Sequence, residues 1–130
     1  SWNNHLKRPP RSNTDISIIH TIKQVYSVLY QIGNKLTKRD KLGIHSHIER
    51  ITLETMNDII SASLQSKIEK QIPLKRTQVS LEVLKHLVRT EHELKIIDQK
   101  TYLRIEQLII ETSKMTNGWV KYLNQNTKQL

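Results

Sequence analysis

Ile18, Ile22, Val25, Leu29, Ile32 and Leu36 follow one another at intervals of four, three, four, three and four. Among regular backbone structures, the α-helix is the one that brings side chains at that spacing onto a single face. The stripe is narrow and heptad-like, of the kind that packs against other helices. A helix with one apolar stripe has to bury it, so the chain must supply further helices or recruit them.

The rest of the sequence supplies them. Tyr26 and Tyr30 widen the first stripe on one flank, and the loop Thr37-Lys38-Arg39-Asp40-Lys41 is short and charged. A second helix is predicted from about Leu42 to Ile68. Its inward face is Ile44, Ile48, Ile51, Met56, Ile59 and Ala62 or Ser63. The small Thr55, Ser61 and Ser63 would let it sit close to a neighbour. Pro73 fits the first turn of a third helix, where its missing N–H does no harm. Leu74, Leu81, Leu84, Leu87, Val88 and Leu94 carry the apolar face of that helix. Asp98 is the expected N-cap of a fourth helix, along which Tyr102, Ile105, Leu108, Ile109, Met115 and Trp119 keep the helical period. Four helices with short connections predict an all-α, up-down-up-down antiparallel four-helix bundle.

The bundle is expected over residues 14–123. Before it, residues 1–13 read as a basic arm whose Pro9-Pro10 blocks helix, so that Asn13 or Thr14 caps the first helix and Asp15 sits in its first turn. After it, residues 124–130 form a polar tail.

Near the end of the fourth helix stands Asn117-Gly118. An isolated glycine inside a helix costs roughly 1 kcal/mol relative to alanine, and Asn-Gly usually marks a stop. The apolar period nevertheless runs on through Met115, Trp119 and Tyr122. Either the helix is capped here or Gly118 lets a neighbour approach closely. Composition and period leave these two readings balanced.

The 130 residues fit one domain. Their apolar content is 36%, with no Phe, against roughly 45–50% in typical globular domains. So thin an aliphatic core suggests help from a partner or from self-association. The chain has no Cys, which excludes disulfides and thiolate metal sites. No apolar run approaches the ~18 residues of a membrane span. The first residues lack the apolar core of a signal peptide, so a cytoplasmic protein with no membrane partner is expected.

Charge is the strongest compositional fact: 21 Lys and Arg against 12 Asp and Glu, a formal net charge of +9. The excess is spread along the chain except in residues 44–72, which are slightly net negative. A field of this sign favours polyanions such as nucleic acid. Alternatively, a basic surface simply keeps the protein soluble.

No motif for chemistry is present. A P-loop, a dinucleotide-binding glycine pattern, a zinc-protease H-E-x-x-H and the Glu-x-x-His of di-iron bundles are all missing. The expectation is no catalytic residue, no metal and no cofactor. His45 and His47 are two apart, on nearly opposite helix faces, and are expected to face solvent or sit at a helix end. His86 and His92 share only a broad face. Glu91 and Glu93 are expected to pair with Lys95, Arg89 and other helix neighbours.

The basic residues do organise. Lys85, Arg89 and His92 form an i, i+4, i+7 stripe flanked by His86 and Lys95. Lys38, Arg39 and Lys41 cluster in the first loop, and Lys75 and Arg76 open the third helix. In an antiparallel bundle the first and third loops lie at the same end, so Lys38, Arg39 and Lys41 would approach Lys95 and Lys100. The functional reading is a band that contacts a nucleic-acid backbone; the alternative is a solvated polar face. Tyr26, Tyr30 and Trp119 could stack on bases, though core or subunit-interface packing is the commoner role at helical spacing.

Four segments carry a resemblance. They are Val25-Tyr26-Ser27-Val28-Leu29-Tyr30; Lys38-Arg39-Asp40-Lys41-Leu42-Gly43 leading to Ile48-Glu49; Leu81-x-x-Leu84-x-x-Leu87 followed by Arg89; and Met115-Thr116-Asn117-Gly118-Trp119-Val120-Lys121. In this order, over about residues 14–123, the chain resembles the accessory variability determinant family of diversity-generating retroelements. That family is related to the four-helix proteins of ribosomal RNA intervening sequences. Asn117 stands where a small Gly or Ser is common. The resemblance implies a barrel-like homopentamer with no catalytic activity, which binds nucleic acid (RNA, DNA or the RNA–cDNA product) and associates with a reverse transcriptase. The expected contacts are Lys38, Arg39, Lys41, Arg76, Lys85, Arg89, Lys95 and Arg104, with Tyr26, Tyr30, Gly118 and Trp119 packing the bundle or the oligomer. Two rival readings are an RNA-binding protein of the intervening-sequence type and a structural oligomer that docks an acidic protein.

Overall fold

The computed structural model describes the backbone of residues 10–128 and the side chains of residues 15–125. Most of the expected N-terminal arm and the last two residues of the tail lie outside the described residues. Among the described residues there are four long helices and no strand: α1 (Pro10–Gly33), α2 (Ser46–Leu64), α3 (Gln71–Glu93) and α4 (Gln99–Lys128). Each helix packs on the next, and α4 closes back on α1. The result is a four-helix bundle with short connections.

The boundaries differ from expectation in three places. Helix α1 begins at Pro10 rather than after a cap at Asn13 or Thr14. A proline at the first helical position loses nothing, since that N–H has no intrahelical partner. The same helix ends at Gly33, so Leu36, the last residue of the sequence stripe, lies beyond it and is half-buried. The second helix does not run from Leu42 to Ile68. It is entered through a short turn, Lys38–Asp40, and a wide π-type turn, Lys41–His45, and it closes at Leu64. The hydroxyl of Thr37 accepts from the Asp40 N–H at 3.3 Å to cap the entry turn. The π-type turn kinks at Gly43 (φ −90°, ψ −115°), and such an insertion resets the helical phase.

The core follows from that phase. On α1, Ile18, Ile22, Val25 and Leu29 are fully buried. On α2 the buried line is His45, Ile48, Thr52, Thr55, Ile59 and Ala62, at intervals of three and four. Ile44, Ile51 and Met56 only pack against its edge. On α3 the line is Lys70, Leu74, Thr77, Leu81, Leu84, Val88 and Glu91, and on α4 it is Tyr102, Ile105, Ile109, Thr112, Thr116, Trp119 and Leu123. Leu94 and Tyr122, expected on inward faces, are 63% and 37% exposed.

The polar members of these lines explain how a chain so poor in apolar residues closes a core. The hydroxyls of Thr21, Thr52, Thr55, Thr77, Thr112 and Thr116 each donate to the carbonyl four residues earlier, at 2.8–2.9 Å. A buried hydroxyl satisfied on its own helix needs no partner across the bundle.

Candidate nucleic-acid interface

The end of the bundle where α1 passes to α2 and α3 to α4 is where the basic loops meet. Arg39, Asp40, Gly43 and Ile44 of the first connection line a pocket of about 450 Å³ together with Leu94 and Ile96 of the third. Lys38, Arg39 and Lys41 of the first connection, Lys95 of the third and Lys100 in the first turn of α4 are all exposed. The third connection is held by a Schellman motif: the Ile96 N–H donates to the Glu91 carbonyl at 2.9 Å and the Lys95 N–H to the His92 carbonyl at 3.0 Å. Lys95 therefore sits at the left-handed position, with φ 63°. Asp98 caps α4 by accepting from the Thr101 N–H at 2.8 Å, and this bond holds its carboxyl below the usual carboxylate range.

Beneath the loops lies a buried ion pair. His45 and Glu91 are both fully buried, with His45 Nδ1 2.8 Å from Glu91 Oε2. His45 Nε2 lies 2.7 Å from the Leu29 carbonyl and 4.0 Å from Glu49 Oε2. Both ring nitrogens face oxygen atoms, an arrangement that the imidazolium with its two N–H donors fits. Burial alone would lower its pKa. The hydrogen bonds to Glu91 and Leu29 and the charges of Glu91 and Glu49 oppose that and raise it above the ordinary 6.5. Two sequence expectations are corrected here: His45 is not at a solvent-facing helix end, and Glu91 does not pair along its own helix. The Gly43 kink turns position 45 inward, and Glu91 continues the line Leu84, Val88.

The other expected contacts scatter. Arg89 is exposed near the α3/α4 seam, where the Tyr102 hydroxyl and Glu106 raise its pKa further. Tyr102 donates to Glu106 Oε2 at 2.6 Å and stacks on His92, with ring centroids 4.6 Å apart. Lys85 is ion-paired to Glu82 at 3.1 Å. Arg104 stands exposed on α4. Arg76 lies about 28 Å along α3 from Lys95, at 1.5 Å per residue, and its Nε and Nη2 both donate to Asp58 Oδ1 at 3.2 and 3.0 Å.

Of the packing residues, Trp119 is buried in the core, with Lys70 Nζ 5.6 Å above its ring. Lys70 is itself buried and donates to the Ala62 carbonyl at 2.6 Å, at the end of α2. Tyr26 is half-buried and Tyr30 58% exposed, their rings 6.2 Å apart. Helix α4 passes through Gly118 without a break. A Cβ at Gly118 would meet nothing within 4 Å, so among the described residues none makes the close approach expected there.

A separate apolar groove of about 980 Å³ runs between α2 and α3. Leu53, Ile72 and Val79 line it at 45–64% exposure, with Arg50, Glu54 and Lys75 on its rim. Among the described residues no group of His, Asp or Glu is arranged to hold a metal ion, and no helix is long and apolar enough to cross a membrane.

Four antiparallel helices with buried polar seams and a basic loop end define a four-helix-bundle protein. The bAvd-like family model matches residues 17–123, and the chain belongs to that family. The family fits an accessory role in diversity-generating retroelements. No curated protein matches the chain, and no solved structure does.

Proposed function

We propose that this protein is a non-catalytic accessory subunit of a diversity-generating retroelement. It binds nucleic acid through its basic loop end, associates with the reverse transcriptase and supports mutagenic copying of template RNA into cDNA. The observation that carries the binding reading is that the first and third connections share one pocket and bear the exposed Lys38, Arg39, Lys41 and Lys95, with Lys100 just beyond, on a chain of net charge +9. Arg89 and Arg104 extend that face along α3 and α4. Arg76, engaged by Asp58 at the far end, is assigned to the groove instead.

The α2/α3 groove supports self-assembly. A contiguous apolar surface of this kind on a small domain marks an interaction site, and a second copy of the chain is the occupant proposed for it, with a ring of five as the expected closure. Charge repeated around a ring would multiply weak backbone contacts.

Gel shifts with single-stranded RNA across a salt series test the binding. Affinity should fall steeply with salt through counterion release, and charge reversal at Lys38, Lys41 and Lys95 should abolish it. Unchanged binding by that variant would remove the face. No binding by the wild-type protein at moderate salt would favour the structural-oligomer reading.

A further inference from the structure

We infer that His45 and Glu91 are positioning residues that hold the two basic loops together as one polyanion-binding face, and that they do so only while His45 carries its charge. The inference rests on the nucleic-acid reading above and names a regulation of that same surface.

The geometry is specific to the loop end. His45 closes the π-type turn that begins at Lys41, so fixing its ring fixes the segment carrying Lys38, Arg39 and Lys41. Glu91 carries two ties: its carboxylate holds His45 at 2.8 Å, and its backbone carbonyl accepts the Ile96 N–H that closes the turn around Lys95. The Leu29 carbonyl, 2.7 Å from the other ring nitrogen, adds the end of α1. One ring thus joins three elements whose exposed neighbours are the candidate contacts.

A neutral imidazole has one N–H and cannot donate to both sides. Whichever tautomer forms, a ring lone pair faces either the Glu91 carboxylate or the Leu29 carbonyl, and one tie turns repulsive. The other charged groups facing the ring are Glu91 of α3 and Glu49 of α2; α1 contributes only the carbonyl. Glu91 Oε1 is buried with no hydrogen-bond partner, so the carboxylate depends on the imidazolium for its compensation. The cationic ring is present below 6.5 and is lost as pH rises through the higher folded-state value. The loops then separate in their motions, and the polyanion meets two weak sites instead of one.

The test is fluorescence anisotropy of labelled single-stranded polyuridine, at fixed ionic strength, from about pH 6 to about pH 9. It compares the wild type, the isosteric Glu91→Gln, the neutral double variant His45→Gln/Glu91→Gln, and the charge-reversed Lys38→Glu/Lys41→Glu. Circular dichroism establishes that each is folded. The wild type should lose affinity as pH rises. The double variant should bind about tenfold more weakly at the low end, as expected when two linked sites act separately, and should show a shallower pH dependence than the wild type. A folded double variant with wild-type affinity and pH profile, while Lys38→Glu/Lys41→Glu has lost binding, would overturn the inference and leave the nucleic-acid reading intact. No binding by the wild type overturns both. Should the double variant not fold, hydrogen exchange on the wild type decides. Corrected for intrinsic rates, the amides of residues 38–45 and 94–98 should lose protection together as pH rises, and independent loss would refute the coupling.

Discussion

Lys95 carries the only positive backbone φ among the described non-glycine residues, 63°. It does so because the Schellman turn after α3 needs a left-handed residue and no glycine stands there. For an L-residue that conformation costs roughly 1–2 kcal/mol. Lys95→Gly should therefore stabilise the fold by about 1 kcal/mol in urea denaturation while removing a charge from the loop end. The residue's place in a strained turn separates its contribution to binding from its contribution to stability, which here have opposite signs. His45 shows the same coupling in another form. Its folded pKa is raised, so its contribution to stability is fully present below 6.5 and falls as pH climbs through the folded value. Glu91→Ala would leave the buried imidazolium with only Glu49, 4.0 Å away, as its counter-charge, and should cost about 3 kcal/mol at acid to neutral pH. Thermal melts across that range check both the size and the direction of the effect.

At the level of the helices, the threonine-bearing seams make a distinct prediction. Thr77 is fully buried, and its hydroxyl is satisfied only by the Pro73 carbonyl, 2.9 Å away on the same helix. Thr77→Val removes a buried hydroxyl and should raise stability by about 0.5–1 kcal/mol, read from the denaturation midpoint. Gly118→Ala in the exposed part of α4 should stabilise the isolated chain by about as much, because a Cβ there meets nothing. The helices themselves were legible: the α1 stripe, the Asp98 cap and the place of Pro73 in the first turn of α3 all rest on local chemistry. The α2 phase is legible only in part from its aliphatic residues: Ile48, Ile59 and Ala62 lie on the buried line, and the rest of that line is polar. Ile44, Ile51 and Met56 drew the seam one position away from His45, Thr52 and Thr55. The intervals of three and four through His45, Ile48, Thr52, Thr55 and Ile59, and through Lys70, Leu74, Thr77, Leu81, Leu84, Val88 and Glu91, were present in the sequence. They pass through polar residues, which a hydrophobic pattern discards. The meeting of the two basic loops followed from antiparallel topology. The ion pair beneath them did not, because a contact across 46 residues between a histidine and a glutamate leaves no mark on either local pattern.

Taken whole, the molecule separates two kinds of surface. The basic loop end is polar, with Leu42 and Leu94 as its exposed aliphatic residues, while the α2/α3 groove is apolar and only rimmed with charge. Val79→Glu in the groove should lower the sedimentation coefficient by disrupting assembly and leave the helical content unchanged. Retention of the wild-type species would remove the groove as the subunit contact. At the other end of the bundle from His45, Lys70 lies over Trp119, whose indole N–H has no hydrogen-bond partner among the described residues. A dry indole with a fixed positive charge on its face is an internal optical probe. Its emission should sit at short wavelength in the native state and move to the red when the bundle opens. Lys70→Met should shift it with the fold intact, since the colour of a buried tryptophan responds to the electric field across its ring. With Trp2 the only other tryptophan in the chain, a Trp2→Phe background would give a one-tryptophan protein whose light reports from the core at the end opposite to where polyanions are expected to bind.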